Sequence, residues 1–153
     1  MEKNKKEGRY QRIFLQLGDL LQKSENDIAK MATISAVLFN KFEYFFWCGF
    51  YRIVDGELIV GPYQGPVACQ VLQKNKGVCW AGINQKETIL VPNVEEFPGH
   101  IACDSRSKSE IVIPVKNKSG EIFAVLDVDS KELNSFDEID KIYLEKIINL
   151  ISN

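Results

Sequence analysis

Four cysteines, Cys48, Cys69, Cys79 and Cys103, are the residues of this chain whose type offers the most chemistry. Cys69 and Cys103 fall in irregular stretches next to Gly/Pro turns, where a thiol is accessible; a packing cysteine usually sits inside an apolar run. Cys48 sits in such a run, Phe45-Phe46-Trp47-Cys48-Gly49-Phe50-Tyr51, and is assigned to packing. Cys79 stands at the start of an expected short helix, where backbone N–H groups favour a thiolate. His100 is the only histidine and precedes Cys103 by three residues. It is read as a loop hydrogen-bonder rather than a base. On residue type alone the loop thiols fit inert small hydrophobes as well as reactive groups.

A second group is acidic. Side chains alternate faces along a strand over 121–129, so Phe123, Val125, Asp127 and Asp129 share one side. Adjacent carboxylates raise one another's pKa, which lets one keep a proton at neutral pH while the other stays ionised. Such a pair can hold an ammonium group and also supply a proton; the plainer reading is a strand end at the surface. Glu110 opens the partner strand and is expected beside them. Trp47 and Tyr51, four apart on a strand, face one way, as core or as the aromatic wall of a pocket.

The elements that must position these groups follow from periodicity. Ile13, Phe14, Leu17, Leu20 and Leu21 predict a helix despite Gly18, since one Gly costs only about 1 kcal/mol. Ile28, Met31, Ile34, Ser35 and Leu38 predict another over 25–40, with Ser24 as N-cap. Aromatic and β-branched runs at 45–53 and 57–61, split by Asp55-Gly56, predict a hairpin. Gly61 to Cys69, with two Gly-Pro steps, is expected to be loop. A short helix from Gly77 to about Asn84 and a brief strand at Thr88–Val91 follow, and 98–106 is irregular. A second hairpin pairs 110–116 with 121–129. Ser135 with Glu138 matches a capping box opening a C-terminal helix. Terminal helices around a run of hairpin strands argue for an α+β fold with an antiparallel sheet.

At 153 residues one core suffices. A net charge of −2 with interspersed signs gives no field to gather phosphates, which argues against nucleic-acid binding. No secretory signal and no run of about 18 apolar residues is present, so no membrane association and a cytoplasmic location are expected. In that compartment the cysteines are expected to be thiols, with a structural disulfide the less favoured reading. With no Cys-x-x-Cys pair and no second His, no metal is expected. Residues 1–8, rich in lysine, are read as a flexible solvated arm on a single domain spanning 1–153.

Gly61-Pro62-Tyr63-Gln64-Gly65-Pro66-Val67-Ala68-Cys69, Gly77-Val78-Cys79, Phe97-Pro98-Gly99-His100-Ile101-Ala102-Cys103-Asp104-Ser105, Ser109-Glu110-Ile111-Val112 and Val125-Leu126-Asp127-Val128-Asp129-Ser130 together carry more than pattern. From about Tyr44 onward the chain closely resembles the free methionine-(R)-sulfoxide reductases, which are built on a GAF domain. The three cysteines stand in that family's order, ten and then twenty-four residues apart. The resemblance implies a six-stranded antiparallel GAF sheet flanked by helices, usually in a homodimer, around a small pocket for the free amino acid. It also implies roles. Cys103 is the nucleophile, Cys69 the main resolving thiol, and Cys79 a second resolving thiol or alternative nucleophile. Glu110, Asp127 and Asp129 hold the substrate ammonium and protonate the sulfoxide oxygen; Trp47 and Tyr51 wall the methyl-sulfinyl group. No bound cofactor is implied, and a disulfide formed with Cys69 is reduced by thioredoxin or a similar dithiol. Two departures stand out: Trp80-Ala81-Gly82 follows Gly-Val-Cys where many members have Gly-Thr-Ala, and Cys48 replaces the usual small residue of the Trp-x-Gly-Phe-Tyr strand. A small-ligand-binding GAF module without activity and a thiol redox sensor are the alternative functions.

Overall fold

Alternation of apolar residues with a period of two builds the chain's middle into strands, and 3.6-residue periodicity builds its ends into helices. The computed structural model describes residues 1–100 and 103–152; Ile101 and Ala102 of the Gly-His-Ile-Ala-Cys segment lie outside the described residues. In chain order the elements are α1 (Lys3–Leu20), α2 (Asp27–Lys41), β1 (Trp47–Val54), β2 (Glu57–Gln64), β3 (Val71–Leu72), α3 (Gly77–Gln85), β4 (Ile89–Val91), β5 (Ser109–Lys116), β6 (Ile122–Ser130) and α4 (Glu138–Ile148). The strands form one antiparallel six-stranded sheet in the order β3-β2-β1-β6-β5-β4. This is the α+β architecture expected from the sequence.

Both hairpins form where the turn residues place them. Asp55 and Gly56 take φ values of 51° and 80°, the left-handed pair that a tight hairpin turn needs. The sheet then divides the core in two. On one face Cys48, Phe50, Ile111, Ile113, Ala124, Leu126 and Val128 pack with Leu17, Ile34, Leu38 and Leu144 of α1, α2 and α4. On the other face Trp47, Tyr51, Val112 and Val125 pack with Val78, Cys79 and Trp80 of α3. Among the described residues α3 is the one α-helix packed on this second face, and space remains beside it.

Several expectations are corrected. Residues 61–64 are not loop but the second half of β2. Pro62 is accommodated because the β1–β2 register shifts between Gly49 and Tyr51, leaving two β2 residues opposite Phe50, and because β3 pairs only with Leu58 and Ile59. Asn26, not Ser24, caps α2, accepting from the Ala29 N–H at 3.0 Å. Asp137, two residues beyond Ser135, caps α4, and Asp140 closes the capping box by accepting from the Asp137 N–H. In both cases the residue standing directly before the first helical turn takes the cap, because its side-chain oxygen reaches the orphan N–H groups there.

The largest correction concerns residues 1–8, which are not an arm. Residues 3–8 form the first turns of α1, and Lys6 is 3% exposed. Its ammonium lies 2.7 Å from Asp140 Oδ2 and 3.2 Å from Asp137 Oδ2. Asp140, fully buried, also accepts from the Tyr10 and Tyr44 hydroxyls at 2.7 Å each. Burial, then the Asp140 charge, keeps both phenols protonated far above their ordinary range. A buried charge is tolerated when paired and hydrogen-bonded, and this network ties α1 to α4 and to the entry of β1.

Candidate active site

The open part of the second sheet face is a cavity of about 220 Å³. Its floor is the sheet, one wall is the N-terminal turn of α3, and its mouth is formed by the segments carrying Cys69 and Cys103. Drug-sized ligands occupy pockets of about 300–1,000 Å³, so the space suits something nearer one amino acid.

The floor is acidic for a reason of register. β5 and β6 pair Glu110 with Asp129 and Val112 with Asp127, so all three carboxyls point to the same face, as the alternation predicts for the two aspartates. Glu110 and Asp127 are each 6% exposed. Burial, followed by the Asp129 charge, pushes Glu110 up to about 8. Burial and then the neighbouring carboxylates raise Asp127 and Asp129 well above the usual carboxylate range. One oxygen of Asp127, Oδ1, is buried without a hydrogen-bond partner among the described residues. The cluster can therefore give up a proton near neutral pH and still offer a free acceptor.

That arrangement has a stability cost with a definite sign. A carboxyl that ionises near 4.5 when unfolded and near 8 when folded binds its proton more tightly in the native state. Raising the pH through that window then favours the unfolded chain. Glu110→Gln removes the group and is expected to flatten the fall in stability between pH 5 and 8, with a gain of about 1–2 kcal/mol at pH 8. Denaturant midpoints at pH 5 and pH 8 measure this; an unchanged slope would contradict it.

The thiols divide. Cys69 and Cys103 are joined in a disulfide with 5.6 Å between Cα atoms and 34 residues between them, where composition favoured thiols. Cys69 is half-buried and Cys103 exposed, so the bond faces solvent at the cavity mouth. Cys79 is a free thiol, 5% exposed, and its pocket overrides its position at the helix start: burial, then the charges of Asp127, Glu110 and Asp129, push it up rather than down. Cys48 is fully buried on the opposite face, where packing was expected. His100 lines the cavity, and its Nε2 is buried without a partner among the described residues. Burial lowers its pKa.

Trp47 and Tyr51 do face one way, their rings stacked at 5.7 Å. Each also fixes the segment that carries Cys69: Trp47 Nε1 donates to the Pro66 carbonyl at 3.1 Å and the Tyr51 hydroxyl to the Cys69 carbonyl at 3.3 Å. Tyr63, which the sequence reading left in a loop, extends the stack, 5.1 Å from Trp47. A Cβ on Gly49 would sit 2.2 Å from the Tyr63 Cβ, so Gly49 is what lets β2 approach here. A glycine between two aromatics in one strand face was the signal for that approach. Phe46, also missed, lines the mouth beneath the Arg106 guanidinium and the Lys131 ammonium, 4.9 and 5.3 Å from its ring centre.

Known proteins share this arrangement of elements. Residues 22–153 match the family model described as GAF domain. GAF domain-containing protein A of Dictyostelium discoideum is 49% identical over 154 residues, covering 100% of this chain and 96% of that one. The free methionine-R-sulfoxide reductase of Escherichia coli K12 is 36% identical over 121 residues, covering 79% of this chain and 73% of that one. The free methionine-R-sulfoxide reductase of Neisseria meningitidis, solved in complex with its substrate, superposes with a TM-score of 0.88 at 37% identity, covering 94% of this chain and 86% of that one. The chain thus belongs to the free methionine-R-sulfoxide reductase family of GAF-domain oxidoreductases.

Proposed function

We propose that this protein reduces free L-methionine-(R)-sulfoxide to L-methionine by cysteine sulfenic acid and disulfide chemistry. The observation that carries the reading is one cavity with the Cys69–Cys103 pair at its mouth and three proton-retaining carboxyls on its floor. The Cys103 thiolate attacks the sulfoxide sulfur while a carboxyl of the Glu110/Asp127/Asp129 group gives its proton to the oxygen. As the S–O bond breaks the oxygen passes to the Cys103 sulfur and the bond just formed between the two sulfurs breaks, leaving Cys103 as a sulfenic acid and methionine with the two electrons that the Cys103 sulfur has lost. The Cys69 thiol then attacks that sulfur, expelling water and forming the disulfide.

Recycling falls to a dithiol such as thioredoxin, which supplies two electrons and two protons by thiol–disulfide exchange. The exposure of Cys103 suits an attack from outside. Cys79, buried beside the carboxyls, is held as a second resolving thiol or alternative nucleophile. Trp47 and Tyr51 wall the methyl-sulfinyl group and hold Cys69 in reach through their bonds to the Pro66 and Cys69 carbonyls. A cytoplasmic location and a homodimeric state belong to the same reading.

Selectivity for the free amino acid follows from the acidic floor. A peptide-bound residue lacks the α-ammonium, and burying these carboxyls against an uncharged amide leaves them unpaired, which gives discrimination of about 10⁴-fold against it where a site is built for a polar partner. The test is NADPH consumption coupled through thioredoxin and its reductase. Turnover is expected with the free R epimer, not with the S epimer or a methionine-sulfoxide peptide; equal rates on the peptide would sink the reading.

A further inference from the structure

We propose that Cys79, Glu110 and Asp127 form a binding site for a thiophilic divalent cation, Zn²⁺ fitting best, in the same cavity. Their ligand atoms, one sulfur and two carboxylate oxygens, lie within 4.8 Å of one another. They are 5%, 6% and 6% exposed and come from three elements, α3, β5 and β6, that the fold holds rigidly together. Sequence spacing does not reveal such a set, because no two of its members are near neighbours in the chain. The second observation is Oδ1 of Asp127, buried and without a hydrogen-bond partner among the described residues, on the floor of the cavity that gives access from solvent.

The donor set selects the ion. Zn²⁺ takes Cys sulfur at about 2.3 Å and carboxylate oxygen at about 2.0–2.2 Å, distances that a closure of under about 1 Å per ligand reaches. Mg²⁺ prefers an octahedral shell of oxygens and its own water, which a sulfur ligand and a small cavity deny it. Three protein ligands leave a fourth position open to water or to Asp129. Binding is a proton exchange with no redox change: the Cys79 S–H and any protonated carboxyl lose H⁺ as the metal–ligand bonds form, so affinity rises with pH. An ion so placed occupies the acidic floor assigned to the substrate ammonium, and this competitive consequence alone rests on the function proposed above.

The test uses the disulfide form of the full chain, in which Cys69 and Cys103 offer no thiolate. Calorimetric titration with Zn²⁺ is expected to give one ion per chain, with Mg²⁺ failing to compete. Cys79→Ser and Asp127→Asn are each expected to weaken binding by at least about 100-fold, more than the loss of a mere orienting partner. Co²⁺ in place of Zn²⁺ should give a thiolate-to-metal charge-transfer band that survives Cys48→Ala, on the opposite sheet face, and vanishes in Cys79→Ser. Absence of binding to the disulfide form, or of that band in the otherwise unaltered chain, overturns the proposal even if the Cys79 variant fails to fold. So does unchanged affinity in a folded Cys79→Ser. An ion bound in this way but not displaced by free methionine-(R)-sulfoxide supports the metal site and counts against the substrate reading.

Discussion

Cys103→Ser is expected to abolish turnover, lowering kcat/KM by roughly 10³-fold or more, because a serine hydroxyl beside acidic groups neither ionises nor accepts the sulfoxide oxygen. The contrast with Cys69→Ser makes the test specific. That variant keeps the attacking sulfur, so it should release one methionine per chain in a fast first turnover and then proceed only as fast as the buried Cys79 resolves the sulfenic acid, which a dimedone-type reagent traps. Retention of turnover in Cys103→Ser would move the attack to Cys79, which sits nearer the carboxyls but whose thiol is held protonated by burial and by their charge.

The second large effect is on stability. Asp140→Ala leaves the Lys6 ammonium buried with only the partly exposed Asp137 beside it, and orphans the Tyr10 and Tyr44 hydroxyls. Breaking a buried pair from one side costs about 3–5 kcal/mol. At about 2–4 °C per kcal/mol for a chain of this size, the melting midpoint should fall by roughly 10 °C. A loss under about 1 kcal/mol would mean that water reaches the network. Deleting residues 1–8 should be costly for the same reason, which trimming a solvated arm would not be.

Local signals carried the frame. Asp55-Gly56 and Asn117 to Gly120 fixed two hairpins, and strict alternation in β6 aimed Asp127 and Asp129 together with Glu110 opposite. What remained hidden depends on partners remote in sequence. Lys6 looks like a surface lysine until Asp140, 134 residues away, is seen to receive it. Pro62 argues against a strand until the register shift opposite Phe50 supplies a place for it. The N–H groups at the start of α3 do not make Cys79 a thiolate, because burial first, and then three carboxyls remote from it in sequence, push its pKa up. The Cys69–Cys103 bond, unwelcome on composition, is understandable once both lie at one solvent-facing mouth. The family resemblance bridged such gaps for the cysteines and carboxyls but had nothing to say of Lys6 or Tyr63.

The strands that end the sheet are very short, two residues in β3 and three in β4. Long unpaired ladders at a sheet margin invite strands from other chains, the usual seed of aggregation and swapping. Beyond those short pairings β2 and β5 run on with an uncovered outer side, but each carries a proline there, Pro62 and Pro114, a residue that cannot donate to a ladder. Strand addition from another chain is thereby discouraged at both margins, and association at high concentration is expected to be reversible rather than fibrous.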